Sequence, residues 1–136
     1  MTAEPEDVTF RFVDAINHAD LNRLSGLMTE DHTFVDSDGT EIVGRHAVVT
    51  AWSSFFSMVR EYRVVVDQSL SESTTVVLLG TATGAFLSEA VPSALNRWTV
   101  PAAWRVVIEG DCVALWQVYV NPEPITNAMK RAKEKR

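Results

Sequence analysis

The chain has 136 residues, 46% of them apolar and 22% charged, which fits one globular domain able to bury a real core. Its formal net charge of −6 argues against nucleic acid as a partner, because phosphate binding needs a clustered basic surface. No apolar run is long enough to span a membrane, and the acidic opening MTAEPEDVTF lacks the basic and apolar regions of a signal peptide, so a cytoplasmic protein is expected.

Pro5 among Glu4, Glu6 and Asp7 predicts a helix start, with proline in the first turn and acids at the positive end of the dipole. Val8, Phe12, Ala15, Ile16 and Ala19 continue it at helical spacing. Asp20 suits the N-cap of a second, short helix carrying Leu21, Leu24, Leu27 and Met28. TFVDS then reads as a short strand, and DGTEIVG as a turn and return. Gly44 opens a third helix whose face bears Val48, Trp52, Phe55 and Val59.

After Arg60 the period changes to that of strands. YRVVVDQSLS, TTVVLLGTATGAFL, PAAWRVVIE and CVALWQVYVN are rich in valine and threonine and separated by turn residues. GTATG marks a bend in the sheet, and SEAVPSALNRW is a longer loop. Cys112 is the only cysteine, so no intrachain disulfide can form, which fits a reducing compartment. The end, 122–136, is a basic tail whose last run, KRAKEKR at 130–136, reads as a frayed, solvated terminus or as a tether to a membrane or nucleic acid. No repeat or linker interrupts the chain, so 1–136 is one domain with its core over about 5–121. Helices segregated from an antiparallel sheet make an α+β fold.

Alternation assigns faces in the last two strands. Ala102, Trp104, Val106 and Ile108 share one side of the first, opposite Arg105, Val107 and Glu109. Ala114, Trp116, Val118 and Val120 share one side of the second, opposite Gln117, Tyr119 and Asn121. The wholly apolar sets should face the helices. The mixed sets suit either solvent or a subunit interface, where tyrosine and arginine are favoured.

Chemistry is sparse. Asp36 lies in the apolar run FVDSDG and is either a pocket carboxylate acting as a base or the first residue of a turn with Asp38 and Gly39. His18, His32 and His46 all precede residue 50. Only His32 has a spacing, i to i+4 along a strand, that pairs it with Asp36; the other reading is a surface histidine at a strand start. No histidine or cysteine spacing suits zinc, and neither a metal nor an organic cofactor is expected.

FVDAINHADLNRLSGLMTEDHTFVDSDG, GRHAVVTAWSSFF and PAAWRVVIEGDCVALWQVYVN together resemble the nuclear transport factor 2-like superfamily, in its SnoaL-like and ketosteroid-isomerase-like branch. The resemblance implies a curved antiparallel sheet wrapped around a long helix as a cone, with three N-terminal helices: a cystatin-like α+β barrel. It also implies an apolar pocket and a homodimer through the outer sheet face. Asp36 falls where the isomerases keep a general-base aspartate. In an apolar cavity such a group is poorly solvated and becomes a better proton acceptor. The electrophilic partners depart from that pattern. Phe12 replaces a tyrosine, and no acid lies at 102–104. Trp52 and Trp104 offer neutral indole donors instead. Nor does the chain match the epoxide hydrolases of this fold, since Arg105 falls on the outer face and Asp111 in a turn.

The expected pocket is lined by Phe12, Phe34, Trp52 and Phe55, and on the sheet by Trp104, Trp116, Val118 and Val120. Its ligand would be a small hydrophobic molecule. Three readings follow: a cofactor-free isomerase, cyclase or lyase moving a proton on a small carbonyl compound with Asp36 as base; a non-catalytic ligand-binding module; and a dimerisation protein with a vestigial pocket.

Overall fold

A computed structural model of the protein describes residues 3–88 and 95–133; six residues of the expected long loop, 89–94, lie outside them. Helix α1 (Pro5–Asn17) begins with its proline and first-turn acids and buries Val8, Phe12, Val13, Ala15 and Ile16. Ala19 turns the chain with φ 50°. Asp20 then caps α2 (Leu21–Gly26), its side chain accepting the Arg23 N–H. Strands β1 (Met28–Val35) and β2 (Glu41–Val43) form a hairpin, and Gly44, at φ 102°, precedes α3 (Arg45–Met58).

The long strands follow: β3 (Val59–Glu72), β4 (Thr75–Phe86), β5 (Arg97–Glu109) and β6 (Cys112–Val120). They join β1 and β2 in one six-stranded sheet of order β2-β1-β6-β5-β4-β3. The fold is α+β as expected, but the sheet is mixed and not antiparallel throughout. β1 pairs with β6 in parallel, Phe34 opposite Trp116. Alternation within a strand carries no information about which distant strand it will join, so this pairing could not be read locally.

Burial along β5 alternates without a break from Trp98 through Val100, Ala102, Trp104 and Val106 to Ile108. Pro101 does not end the strand, because β6 pairs with β5 only from Ala102 onward and leaves an open edge beside the proline. In β6 the expected parity holds from Trp116 to Val120 but fails at its start. The register jumps from Val107↔Leu115 to Ile108↔Val113, making Ala114 an extra residue. Val113 is therefore buried in the place expected for Ala114.

Two bulges bend β3. One, between Arg60 and Arg63, contains Glu61 at φ 55°. The other, between Val66 and Gln68, faces Gly80, where an added Cβ would collide with the Val65 carbonyl oxygen. This is the bend expected of GTATG. The Asn17 side chain fastens α1 to the curved strand: its Oδ1 accepts the Val64 N–H at 2.8 Å, and its Nδ2 donates to the Val64 carbonyl at 3.0 Å.

The expected basic tail, 122–136, is helical over most of its described part: α4 (Glu123–Ala132) buries Ala128 and packs Ile125, Met129 and Ala132 against the core. Lys130 and Arg131 occupy its last turn, where the helix dipole favours cations. The Arg131 Nε–H donates to the Leu95 carbonyl at 2.7 Å. The core thus extends past residue 121.

Candidate functional site

The sheet curls around α3 and leaves a cavity of about 430 Å³, within the range of roughly 300–1,000 Å³ typical of small-molecule sites. Helix α3 contributes Val48, Ala51, Trp52 and Phe55. The sheet contributes Tyr62, Ala82 and Trp98, and further along Trp104, Trp116, Val118 and Val120. The end of β1 and the turn after it bring Phe34, Asp36, Ser37 and Asp38 to the rim. Pro122, Ile125 and Thr126, at the start of α4, complete the wall. All four tryptophans of the chain line this space.

Phe12 does not. It is fully buried in α1 with its ring against Trp116, centroids 5.0 Å apart, and against His32 at 5.8 Å. Trp116 occupies the surface that Phe12 was expected to supply. His32 is likewise neither a surface residue nor a partner of Asp36. It is fully buried outside the cavity, and its Nδ1 lies 2.6 Å from the Val113 carbonyl oxygen. A carbonyl only accepts, so Nδ1 carries the proton, and Nε2 is left buried without a partner among the described residues. Burial holds the imidazole's pKa below its ordinary 6.5, outweighing the Val113 bond and the charge of Asp31. A neutral ring that spends its one N–H on a backbone carbonyl and packs on phenylalanine is a core group.

Asp36 has features of both expected readings. Its N–H donates to the Thr40 carbonyl, its carbonyl accepts the Gly39 N–H, and its Oδ1 accepts the Ser37 N–H at 2.7 Å. That is a turn residue. Yet the same residue lines the cavity. It is exposed, so it stands at the wet rim and not in the dry interior that the resemblance implied. Asp38 stands beside it, with Oδ1 accepting the Thr40 N–H at 2.9 Å. That bond holds the Asp38 carboxyl below its ordinary pKa of 3.8, so it is ionised at neutral pH.

Two polar residues of the cavity escape a simple reading of the sequence. Tyr62 follows Glu61 in the first bulge of β3; bulges commonly re-aim side chains beside functional sites. Burial raises the Tyr62 hydroxyl's pKa above its ordinary 10.0, and the negative charge of Asp36 pushes it the same way. The phenol is therefore a neutral donor throughout the physiological range. Trp98 lies opposite Gly84 in the β4–β5 ladder, and its ring covers the place a Gly84 side chain would fill. The indole nitrogens of Trp52 and Trp98 are buried and have no acceptor among the described residues.

Residues 10–120 match the SnoaL-like domain. The chain belongs to the SnoaL-like family. Solved structures share its fold at low identity. A hypothetical protein of Catenulispora acidiphila with a ketosteroid isomerase-like fold, in complex with trimethylamine, is 19% identical with a TM-score of 0.77, over 94% of this chain and 93% of its own. A candidate SnoaL-like polyketide cyclase of Shewanella putrefaciens is 12% identical with a TM-score of 0.80, over 96% and 99%. An LEH-like epoxide hydrolase of M. tuberculosis is 14% identical with a TM-score of 0.75, over 96% and 92%. No relative was found among curated protein sequences.

In this SnoaL-like domain the aromatic residues Trp52, Tyr62 and Trp98 line the cavity, while the carboxylates stay at the rim. Trp104, the other indole expected to donate, lines the cavity as well and packs against Trp116. Among the described residues no three histidine, cysteine, aspartate or glutamate side chains are grouped as metal ligands, and no helix is long and apolar enough to cross a membrane.

Proposed function

We propose that this SnoaL-like domain takes up a small, largely apolar carbonyl compound and moves a proton on it without a cofactor. What supports this reading is a cavity lined by Trp52, Tyr62, Trp98 and Trp104, residues that carry N–H or O–H donors, with Asp36 at its rim. The Asp36 carboxylate would take a proton from the carbon next to the carbonyl. The C–H electron pair would pass to the oxygen, where Tyr62 and an indole N–H stabilise the developing charge. Where the carbonyl is conjugated with a C=C bond, return of the proton to the far carbon of the dienolate gives the isomer; attack of the enolate carbon on a second carbonyl, whose oxygen then takes the proton back from Asp36, closes a ring.

The test is hydrogen exchange. Small ketones and aldehydes in deuterated buffer should gain deuterium next to the carbonyl faster with the wild-type protein than with Asp36→Asn, by about 10²–10⁴-fold. Binding without exchange would support the second reading, a non-catalytic ligand-binding module. That reading is favoured by the turn bonds that already engage Asp36.

A further inference from the structure

Resting on that binding reading, we propose that the ligand carries a positive charge: an organic ammonium whose apolar body fills the ring-lined cavity and whose cationic end lies at the rim beside Asp38. The walls include the rings of Phe34, Trp52, Phe55, Tyr62 and Trp98. The faces of such rings carry the negative part of the quadrupole and attract ammonium groups, most strongly where water is displaced. The rim supplies two carboxylates, Asp36 and Asp38, and no lysine, arginine or histidine is among the described lining residues. Every formal charge that a ligand would meet here is negative.

Exposed carboxylates on a turn are ordinarily just solvated, and alone they would mean little. What separates this pair is the surface they complete. They border an aromatic cavity of about 430 Å³, room for a small guest, walled in part by Phe34, Trp52, Phe55, Tyr62 and Trp98. Neither Asp36 nor Asp38 joins any of the ion pairs formed by the described residues, which are His18–Asp14, Arg23–Asp14 and Arg97–Glu61. An anionic ligand would be repelled at this rim, and a neutral one would leave Asp38 without a counter-charge. The two acids divide the work: Asp36 moves the proton, and Asp38, held ionised by Thr40, is the counter-ion.

The four cavity tryptophans give a fluorescence readout. The probes are benzyltrimethylammonium, its neutral isostere neopentylbenzene, and the anion phenylacetate, each titrated into the whole chain. The ammonium should bind at least about tenfold more tightly than the isostere, an advantage that shrinks as salt is raised. Asp38→Asn should weaken the ammonium several-fold and leave the isostere unchanged. Equal binding of ammonium and isostere, or a preference for phenylacetate, overturns the cationic ligand while leaving the binding reading in place. Failure of all three to bind, with the fold intact by circular dichroism, removes both.

Discussion

His32 and Val113 are joined across 81 residues of sequence by a 2.6 Å bond from the imidazole Nδ1–H to the carbonyl oxygen, inside the core. The bond ties β1 to β6 at the point where their parallel register is interrupted, between Met28 and Thr33. It also makes the fold sensitive to acid. Burial depresses the His32 pKa in the folded state, whereas the unfolded chain titrates near 6.5. Below about pH 6.5 the unfolded state gains a proton that the folded state resists, so stability falls with pH until the folded value is reached. Urea unfolding at pH 7.5 and 5.5 should show this loss. His32→Phe, which keeps the ring contact with Phe12, should show a smaller one. Equal losses in the two proteins would assign the acid sensitivity elsewhere.

Asp36→Asn separates the turn role of that residue from its proposed chemistry. Asparagine can still accept the Ser37 N–H, and the residue is exposed, so stability should change by no more than about 0.5 kcal/mol. Proton exchange on a bound carbonyl compound should fall by about 10²–10⁴-fold. A substitution that leaves both unchanged would return Asp36 to a turn residue alone.

Gly80 and Gly26 should respond to alanine in opposite directions. At Gly80 a methyl group meets the Val65 carbonyl on the neighbouring strand, and that backbone can yield only by loosening the bulge. Gly80→Ala should cost about 1–3 kcal/mol or more. Gly26 ends α2 with open space where its Cβ would lie, so Gly26→Ala should stabilise by about 0.5–1 kcal/mol. Thermal unfolding of the two variants beside the wild type checks both signs.

The parts of this fold that were legible in the sequence are those set by local chemistry. Pro5, Asp20 and Gly44 announce three helix starts, and strict alternation places Trp104 and Trp116 inward. What alternation could not supply is any interruption of its own count. The bulge at Ala114 shifts the start of β6, and the one at Glu61 lies beside Tyr62, the phenol missed in the sequence. Trp98 closes the segment SEAVPSALNRW that reads as a loop, although Trp98, Val100, Ala102 and Trp104 keep a period of two straight through Pro101. Helix α4 was hidden by its charge. Ile125, Ala128, Met129 and Ala132 fall at i, i+3, i+4 and i+7, a pattern that the basic run beside it obscures.

The outer face of the sheet carries the last prediction, a homodimer. Leu79, Ala103 and Tyr119 are direct neighbours across β4, β5 and β6, and Val65, Thr81 and Pro101 form the row two residues away. Val65, Leu79 and Tyr119 are 45%, 37% and 50% exposed, so the two rows make one apolar patch on the side opposite the cavity. Contiguous exposed apolar surface of this kind marks an interaction site, and tyrosine is an interface-favoured type. We propose that a second copy of the chain covers it, since a two-fold axis lets one patch bury itself against its twin. Sedimentation at micromolar concentration should give twice the monomer mass of 15.1 kDa. Tyr119→Lys should return it to one chain without unfolding, because the side chain is half exposed and lines no part of the cavity. A wild-type monomer at that concentration would count against the dimer, and a Tyr119→Lys protein that stays dimeric would move the interface off this face.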